Sequence, residues 1–255
     1  LCPIHHTPMI KIGWTKNSHP FCIECRRTEI NQKEVERTAE LQKRINWRRT
    51  KKALDKDSIF EDPDLNPATF ANFAPNSDES ETNRQLARHL AGQYLNPDNH
   101  FNVILTGLPG RGKSHLALAM LKAVNENVER PMSCLFVSVN DLFRLIRDSF
   151  NYPDSKYTEE NMVHLLGSVD LLVLDDLGSE SSFKRDTSEA SEFVQRILFG
   201  ILNQRQRTII TTNLTSDQMS AIYNSKIISR LYKGIRGHII KFTDATPDQR
   251  ERIDF

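Results

Sequence analysis

The sequence is short of cysteine, of long apolar runs and of net charge, and each shortage narrows what the chain can be. Three of its four cysteines fall within the first 25 residues, and Cys134 sits in an apolar run that reads as a buried strand, so a disulfide framework is not expected. No stretch of about 18 uncharged apolar residues occurs and no charged-then-apolar leader precedes residue 30, which predicts a cytoplasmic protein with no membrane partner. A net charge of +1 argues neither for nor against nucleic acid, because a total says nothing about distribution. At 255 residues, one ordinary domain with its own core plus a smaller appendage is expected.

What cysteine there is lies in a pattern. Cys2-Pro-Ile-His5 and Cys22-Ile-Glu-Cys25 bracket a stretch, Met9 to Phe21, able to form a short hairpin. Two such pairs closed by a hairpin make a zinc-ribbon layout: each tight turn supplies two soft or borderline ligands, and together they complete a tetrahedron suited to zinc. So short a segment has too little core to fold without the metal. Four protein ligands leave no open position, so Cys2, His5, Cys22 and Cys25 are expected to hold a structural Zn2+. His6 or His19 is an alternative to His5, and a redox Cys-x-x-Cys is the competing interpretation of the second pair.

Glycine and proline are absent from Arg27 to Ser58, where Glu, Gln, Lys, Arg, Ala and Leu dominate. This predicts one long helix with a sparse apolar stripe. Its second half is basic, with Lys43, Arg44, Arg48, Arg49, Lys51 and Lys52 against Glu40, which suits either a solvated linker or a surface for a partner or phosphates. A linker rich in Asp, Pro and Asn, from Asp62 to Pro67, follows. Three zones result: a zinc-binding ribbon-like domain at 1–26, a basic linker helix at 27–60 and an α/β domain at 61–255.

In that third zone, strand-like and helix-like segments alternate, as in an open parallel sheet covered by helices. The pattern predicts strands at 101–106, 134–139, 170–175, 207–212 and 238–242, with helices at 82–95, 113–127, 141–150, 159–167 and 187–205. Gly107-Leu-Pro109-Gly110-Arg111-Gly112-Lys113-Ser114, followed by His115, meets the pattern G-x-x-x-x-G-K-S between a strand and a helix. Its glycines let backbone N–H groups close around phosphates, Lys113 reaches the β and γ phosphates and the Ser114 hydroxyl binds Mg2+. The run Val169-Asp-Leu-Leu-Val-Leu-Asp175-Asp176 is a buried strand ending in two carboxylates, as in a Walker B strand. Asp175 is expected to hold Mg2+ and Asp176 to orient the attacking water, with nearby Glu180 a rival. Arg207-Thr-Ile-Ile-Thr-Thr212 is a further β-branched strand ending at Asn213, either a γ-phosphate sensor or an ordinary turn former. Arg230, on a short helical segment, is either a surface charge or an arginine finger offered to a neighbouring subunit.

The order of Phe70-x-x-Phe73, Gly107 to Ser114, Leu171 to Gly178, Ile209 to Leu214 and Ile228-Ser-Arg230-Leu closely resembles the DnaC/DnaI family of replicative helicase loaders over about residues 68 to 243. Those motifs are shared with IstB-like transposition ATPases and, more distantly, with the DnaA initiator; the cysteine-rich front and basic helix tilt the resemblance toward DnaI-type loaders. The resemblance implies an AAA+ core with little or no helical lid. It also implies ATP hydrolysis by Lys113, Asp175, Asp176 and Asn213, completed by Arg230 of a neighbour in a homo-oligomer, with a DnaB-family helicase and single-stranded DNA as partners. Arg147-Asp-Ser-Phe150 looks like the stretch that holds single-stranded DNA in such loaders, Arg147 neutralising a phosphate and Phe150 stacking on a base; a helix whose Phe packs inward is the plain alternative. Phe183, Lys184 and Arg185 are weaker candidates for the same path. Only 42 residues follow Asn213, which leaves Arg250 as a weak candidate for a second sensor.

Overall fold

The computed structural model describes residues 1–11, 19–152, 154–181 and 190–248, apart from the side chains of 42–49 and Ser181. It divides into two compact units, Leu1–Arg49 and Thr50–Phe255. The division falls earlier than the linker near residue 60, because Ala53, Leu54 and Ile59 are buried in the core of the second unit.

In the first unit, Cys2 opens a tight turn in which the His6 N–H donates to the Cys2 carbonyl (2.9 Å) and the Cys2 N–H to that of Thr7 (2.8 Å). Ile10 and Phe21 pair as an antiparallel bridge, the ends of the expected hairpin; its interior lies outside the described residues. The second Cys-x-x-Cys differs from a ribbon turn. Helix α1, Ile23–Lys51, begins between the two cysteines, so Cys22 precedes the helix and Cys25 sits in its first turn. The physical reason is local: Glu24 lies at the positive end of the helix dipole, and Glu29 is flanked by Arg26 (2.8 Å) and Lys33 (2.7 Å), so helix formers already act ahead of Arg27. At the other end, the expected continuous helix to Ser58 is interrupted at Lys52. A separate short helix, α2 (Ala53–Asp57), turns its buried Ala53 and Leu54 into the second unit's core.

In the second unit, five parallel strands, β1 (Val103–Gly107), β2 (Cys134–Ser138), β3 (Leu171–Asp175), β4 (Thr208–Thr212) and β5 (Ile239–Phe242), lie in the order β2-β3-β4-β1-β5. Strands β2, β3 and β4 are buried along their whole length, which is why they read as continuous apolar or β-branched runs without alternation. Ile59 adds to the outer edge of β2: its N–H donates to the Phe136 carbonyl and its carbonyl accepts from Ser138, both at 2.8 Å. At the other edge, the Asn83 amide donates to the Lys241 carbonyl (2.7 Å), and the Thr243 N–H to the Glu79 carboxylate (3.0 Å).

One face of the sheet is covered by α3 (Asp78–Tyr94) and α4 (Lys113–Asn127). The other carries α5 (Val139–Asp148), α6 (Glu159–Ser168), α7 (Glu192–Asn203), α8 (Ser216–Ile222) and α9 (Ser225–Leu231). Side-chain caps at Ser77, Ser138, Thr158, Ser191, Thr215 and Asn224 fix where six of these helices begin. They also explain the shifted boundaries: Ser77 and Ser80 cap each other reciprocally and start α3 at Asp78 rather than 82, and Ser191 starts α7 at Glu192 rather than 187. Among the described residues no helix follows β5. No helix among them is long and apolar enough to cross a membrane. Phe183, Lys184, Arg185 and Arg250 lie outside the described residues, as do the side chains of Lys43, Arg44, Arg48 and Arg49.

Candidate functional site

Strands β1, β3 and β4 end side by side, and the loops after them enclose a cavity of about 460 Å³. The loop between β1 and α4 forms its floor. Gly107, at φ +139°, is required there by close approach, since a Cβ would lie 2.1 Å from the Phe242 carbonyl oxygen of β5. Pro109, Gly110, Gly112, Lys113, Ser114 and His115 all line the cavity. Gly107 shapes the loop without lining it, and Arg111 turns aside to lie 3.8 Å from Asp244.

Lys113 is buried, and its ammonium donates to the carbonyls of Gly107 (2.8 Å) and Leu108 (2.7 Å) and to Asn213 Oδ1 (2.7 Å). A buried cation must be paired or hydrogen-bonded, and these acceptors satisfy it while holding it over the loop. The Asn213 amide donates in turn to Asp176 Oδ1 (2.8 Å), so the loop, the residue after β4 and the acid are tied into one chain of hydrogen bonds. Asp176 adopts φ +56°, a conformation uncommon outside glycine that costs on the order of 1 kcal/mol, and its N–H is held by Thr211 Oγ1 (2.8 Å). The same Thr211 hydroxyl donates to Asp175 Oδ1 (2.7 Å). Burial pushes the Asp175 carboxyl up to about 6, against hydrogen bonds from Thr211 and Ser114 that hold it down. A buried carboxylate beside a serine hydroxyl and a second acid is a donor set suited to a hard divalent cation.

The other candidates are placed differently. Arg230 lies outside its own chain's cavity, on α9, where it donates to Asn203 Oδ1 (3.0 Å) and lies 5.5 Å from the centre of the Phe199 ring. Arg147 and Phe150 stand at the end of α5. Phe150 is 64% exposed, so it does not pack inward, and it meets the Phe193 ring edge-on at 5.8 Å; the Arg147 guanidinium lies 5.6 Å from the same ring. Glu180, the rival acid, does not line the cavity; its carboxylate accepts from the Gly178 N–H (2.9 Å) and from the Tyr223 hydroxyl.

In the first unit, the ligand atoms of Cys2, His5, Cys22 and Cys25 all lie within 4.8 Å of one another. Individual separations are 3.9 Å from Cys2 Sγ to His5 Nδ1, 3.6 Å from Cys2 to Cys25, 3.7 Å from Cys22 to His5 and 3.3 Å from Cys25 to His5. A zinc ion with Zn–S near 2.3 Å and Zn–N near 2.0 Å places its ligand atoms roughly 3.5–3.8 Å apart, so the cluster fits a tetrahedral cation. His5 is the histidine brought to it, and neither His6 nor His19 joins.

Comparison with known proteins bears on both fold and chemistry. The family model described as "IstB-like ATP binding protein" matches residues 36–232, more than half of the chain. The chain belongs to the IstB-like ATP-binding family. Among curated relatives, the replicative helicase loader DnaC of Escherichia coli K12 is 29% identical over 136 residues, 53% of this chain and 52% of the loader. DnaC of Buchnera aphidicola from Schizaphis graminum is 28% identical over 166 residues, 65% of this chain and 63% of the relative. The IstB-like chain thus spans from about half to somewhat under two thirds of the length of these relatives. Among solved structures, a DnaC helicase loader superposes with a TM-score of 0.56 at 22% identity, covering 71% of this chain and 99% of that one. DnaI gives 0.55 at 24% identity, covering 73% and 95%. The fold is therefore the AAA+ fold that the resemblance implied, built on the parallel sheet and covering helices expected from the alternating segments.

Several residues of the IstB-like chain's cavity escaped the sequence motifs. Glu61 and Leu65 reach its wall because Ile59 leads them along the edge of β2, and Phe136 joins them from β2 itself, stacked on Phe60 at 4.9 Å. Thr211 bridges the two acids, and its only sequence signal was its place one residue before the end of a β-branched strand. His115 is fixed by the Thr69 carbonyl (2.9 Å) and Asn72 Oδ1 (3.1 Å), with Phe73 edge-on at 5.2 Å, which gives the Phe70-x-x-Phe73 segment a role in building the cavity mouth.

Proposed function

We propose that this chain is an ATP-dependent loader that places a DnaB-family helicase on single-stranded DNA. The observation that carries the proposal is the pairing, in one chain similar to DnaC, of a complete phosphate-loop site with a separate metal-ligand unit. In this reading Lys113 and the loop N–H groups hold the phosphates of ATP, while Ser114 and Asp175 hold Mg2+, which supplies charge neutralisation when bound. Asp176, aimed by Asn213 and Thr211, orients the attacking water. The Asn213 amide hydrogen-bonds the γ phosphate or the attacking water and so acts as the sensor. Arg230 acts in a neighbouring copy, which makes hydrolysis depend on a homo-oligomer. Arg147 and Phe150 meet single-stranded DNA through a phosphate and a base. The front unit, held by a structural Zn2+, docks on the helicase.

The deciding test is capture of the cognate replicative helicase by the full chain with and without ATP. Cys22→Ser with Cys25→Ser is expected to abolish capture and leave ATP binding intact, whereas Lys113→Ala is expected to abolish nucleotide control. Undiminished capture by the double cysteine variant sinks the docking assignment. A transposition helper acting on duplex DNA is the second reading, favoured by the family description itself. Tighter binding to duplex than to single strand selects it.

A further inference from the structure

The Walker B strand does not end at its acids; the turn that follows is clamped from two sides. On one side β4 holds it: the Leu177 N–H donates to the Thr211 carbonyl (2.9 Å), and the Thr212 hydroxyl to the Leu177 carbonyl (2.6 Å). On the other stands the Glu180 carboxylate, accepting from the Gly178 N–H (2.9 Å) and from the Tyr223 hydroxyl. Gly178 has φ +106°, and a Cβ there would lie 2.3 Å from Leu214 Cδ1, so glycine suits this point of the turn. Tyr223 is buried and lies at the junction of α8 and α9, where its N–H closes α8 on the Met219 carbonyl (2.9 Å). The next residue, Asn224, caps α9 by accepting from the Ile227 N–H (3.0 Å), and its own N–H donates to Gln195 of α7 (3.0 Å). Arg230 stands at the far end of that helix.

A single carboxylate therefore joins two backbone segments with opposite assignments. One aims Asp176 into the cavity of its own chain. The other carries the arginine assigned to a neighbour's cavity. We propose that Glu180 and Tyr223 are a positioning pair for ATP hydrolysis, with Glu180 fixing the turn that aims Asp176 and Tyr223 tying that turn to the helix that presents Arg230. Neither residue lines the cavity, so the pair acts through Asp176 and Arg230. The proposal rests on the ATPase reading above.

Two readouts on the full-length chain test it, using Tyr223→Phe and Glu180→Gln. The first is hydrogen–deuterium exchange without nucleotide: in Tyr223→Phe, exchange is expected to quicken both in the turn 176–181 and in α9, because one lost hydroxyl uncouples both ends. Faster exchange in the turn with α9 unchanged overturns the coupling, whether or not the chain hydrolyses ATP. The second is the split between binding and turnover. ATP dissociation constants are expected to stay within about twofold of the parent while kcat falls roughly tenfold or more, as expected when a reacting group is misaimed rather than lost. Glu180→Gln, which keeps one acceptor oxygen, is expected to lose less kcat than Tyr223→Phe combined with Glu180→Ala. A parental kcat in both single variants, or a fall in ATP binding matching the fall in turnover, overturns the positioning role. A parent chain that binds ATP without turning it over, yet shows the coupled exchange, overturns the ATPase reading and leaves the coupling standing.

Discussion

The two units hold themselves together by different means. Among the described residues of Leu1–Arg49, the buried side chains are Cys2 and Cys22, while Leu1, Ile4, Ile23, Ile30 and Val35 are exposed. Among these residues apolar burial adds little, and solvent-exposed pairs such as Arg26–Glu29 add little more. The second unit fills both faces of its sheet, with Leu174, Ile197 and Ile210 fully enclosed on one side and Leu105, Leu116 and Val173 on the other. One unit is thus organised around four ligand atoms and the other around two apolar layers. Stability in the first should follow metal supply; in the second it should follow packing.

The sharpest way to break that contrast is to deny the four ligand atoms a metal. A strong chelator, or Cys25→Ser, is expected to unfold the first unit, since binding free energy at such a site is folding free energy of about 10 kcal/mol or more. Circular dichroism should show loss of α1 while the thermal transition of the second unit stays where it was; a common shift of both would end the distinction. Leu174→Ala, fully buried on β3, is the mirror experiment. It is expected to cost the second unit about 2–5 kcal/mol in denaturant unfolding with the metal content of the chain unchanged. The smallest effect belongs to the caps. Ser77→Ala removes the oxygen that accepts from the Ser80 N–H (3.1 Å), for an expected loss of about 1 kcal/mol in the second unit alone.

How much of this was legible in the sequence differs by element for physical reasons. The parallel sheet was readable because β2, β3 and β4 are buried on both faces and carry uninterrupted apolar or β-branched runs. The phosphate loop was readable because its glycines and lysine are set by backbone geometry within a few residues. Helix boundaries drifted where a cap decided them: Ser77 and Ser191 are ordinary polar residues until their side chains are seen to accept. The start of α1 between Cys22 and Cys25 was missed for a related reason, since the Cys-x-x-Cys spacing dominated the interpretation of residues whose neighbours already favoured helix. Long-range partners left no local trace. Nothing near Glu180 in the chain announces Tyr223, and nothing near Arg147 or Phe150 announces Phe193. Arg230 kept both of its meanings, because a residue that acts in a neighbouring copy has no signature within one chain.

The two borders of the sheet carry a last consequence, for how copies of this chain can meet. Ile59 occupies the outer side of β2, and at the β5 border the Lys241 carbonyl and Thr243 N–H are taken by Asn83 and Glu79. Strand-to-strand addition, the route to stubborn aggregates, is obstructed at both ends.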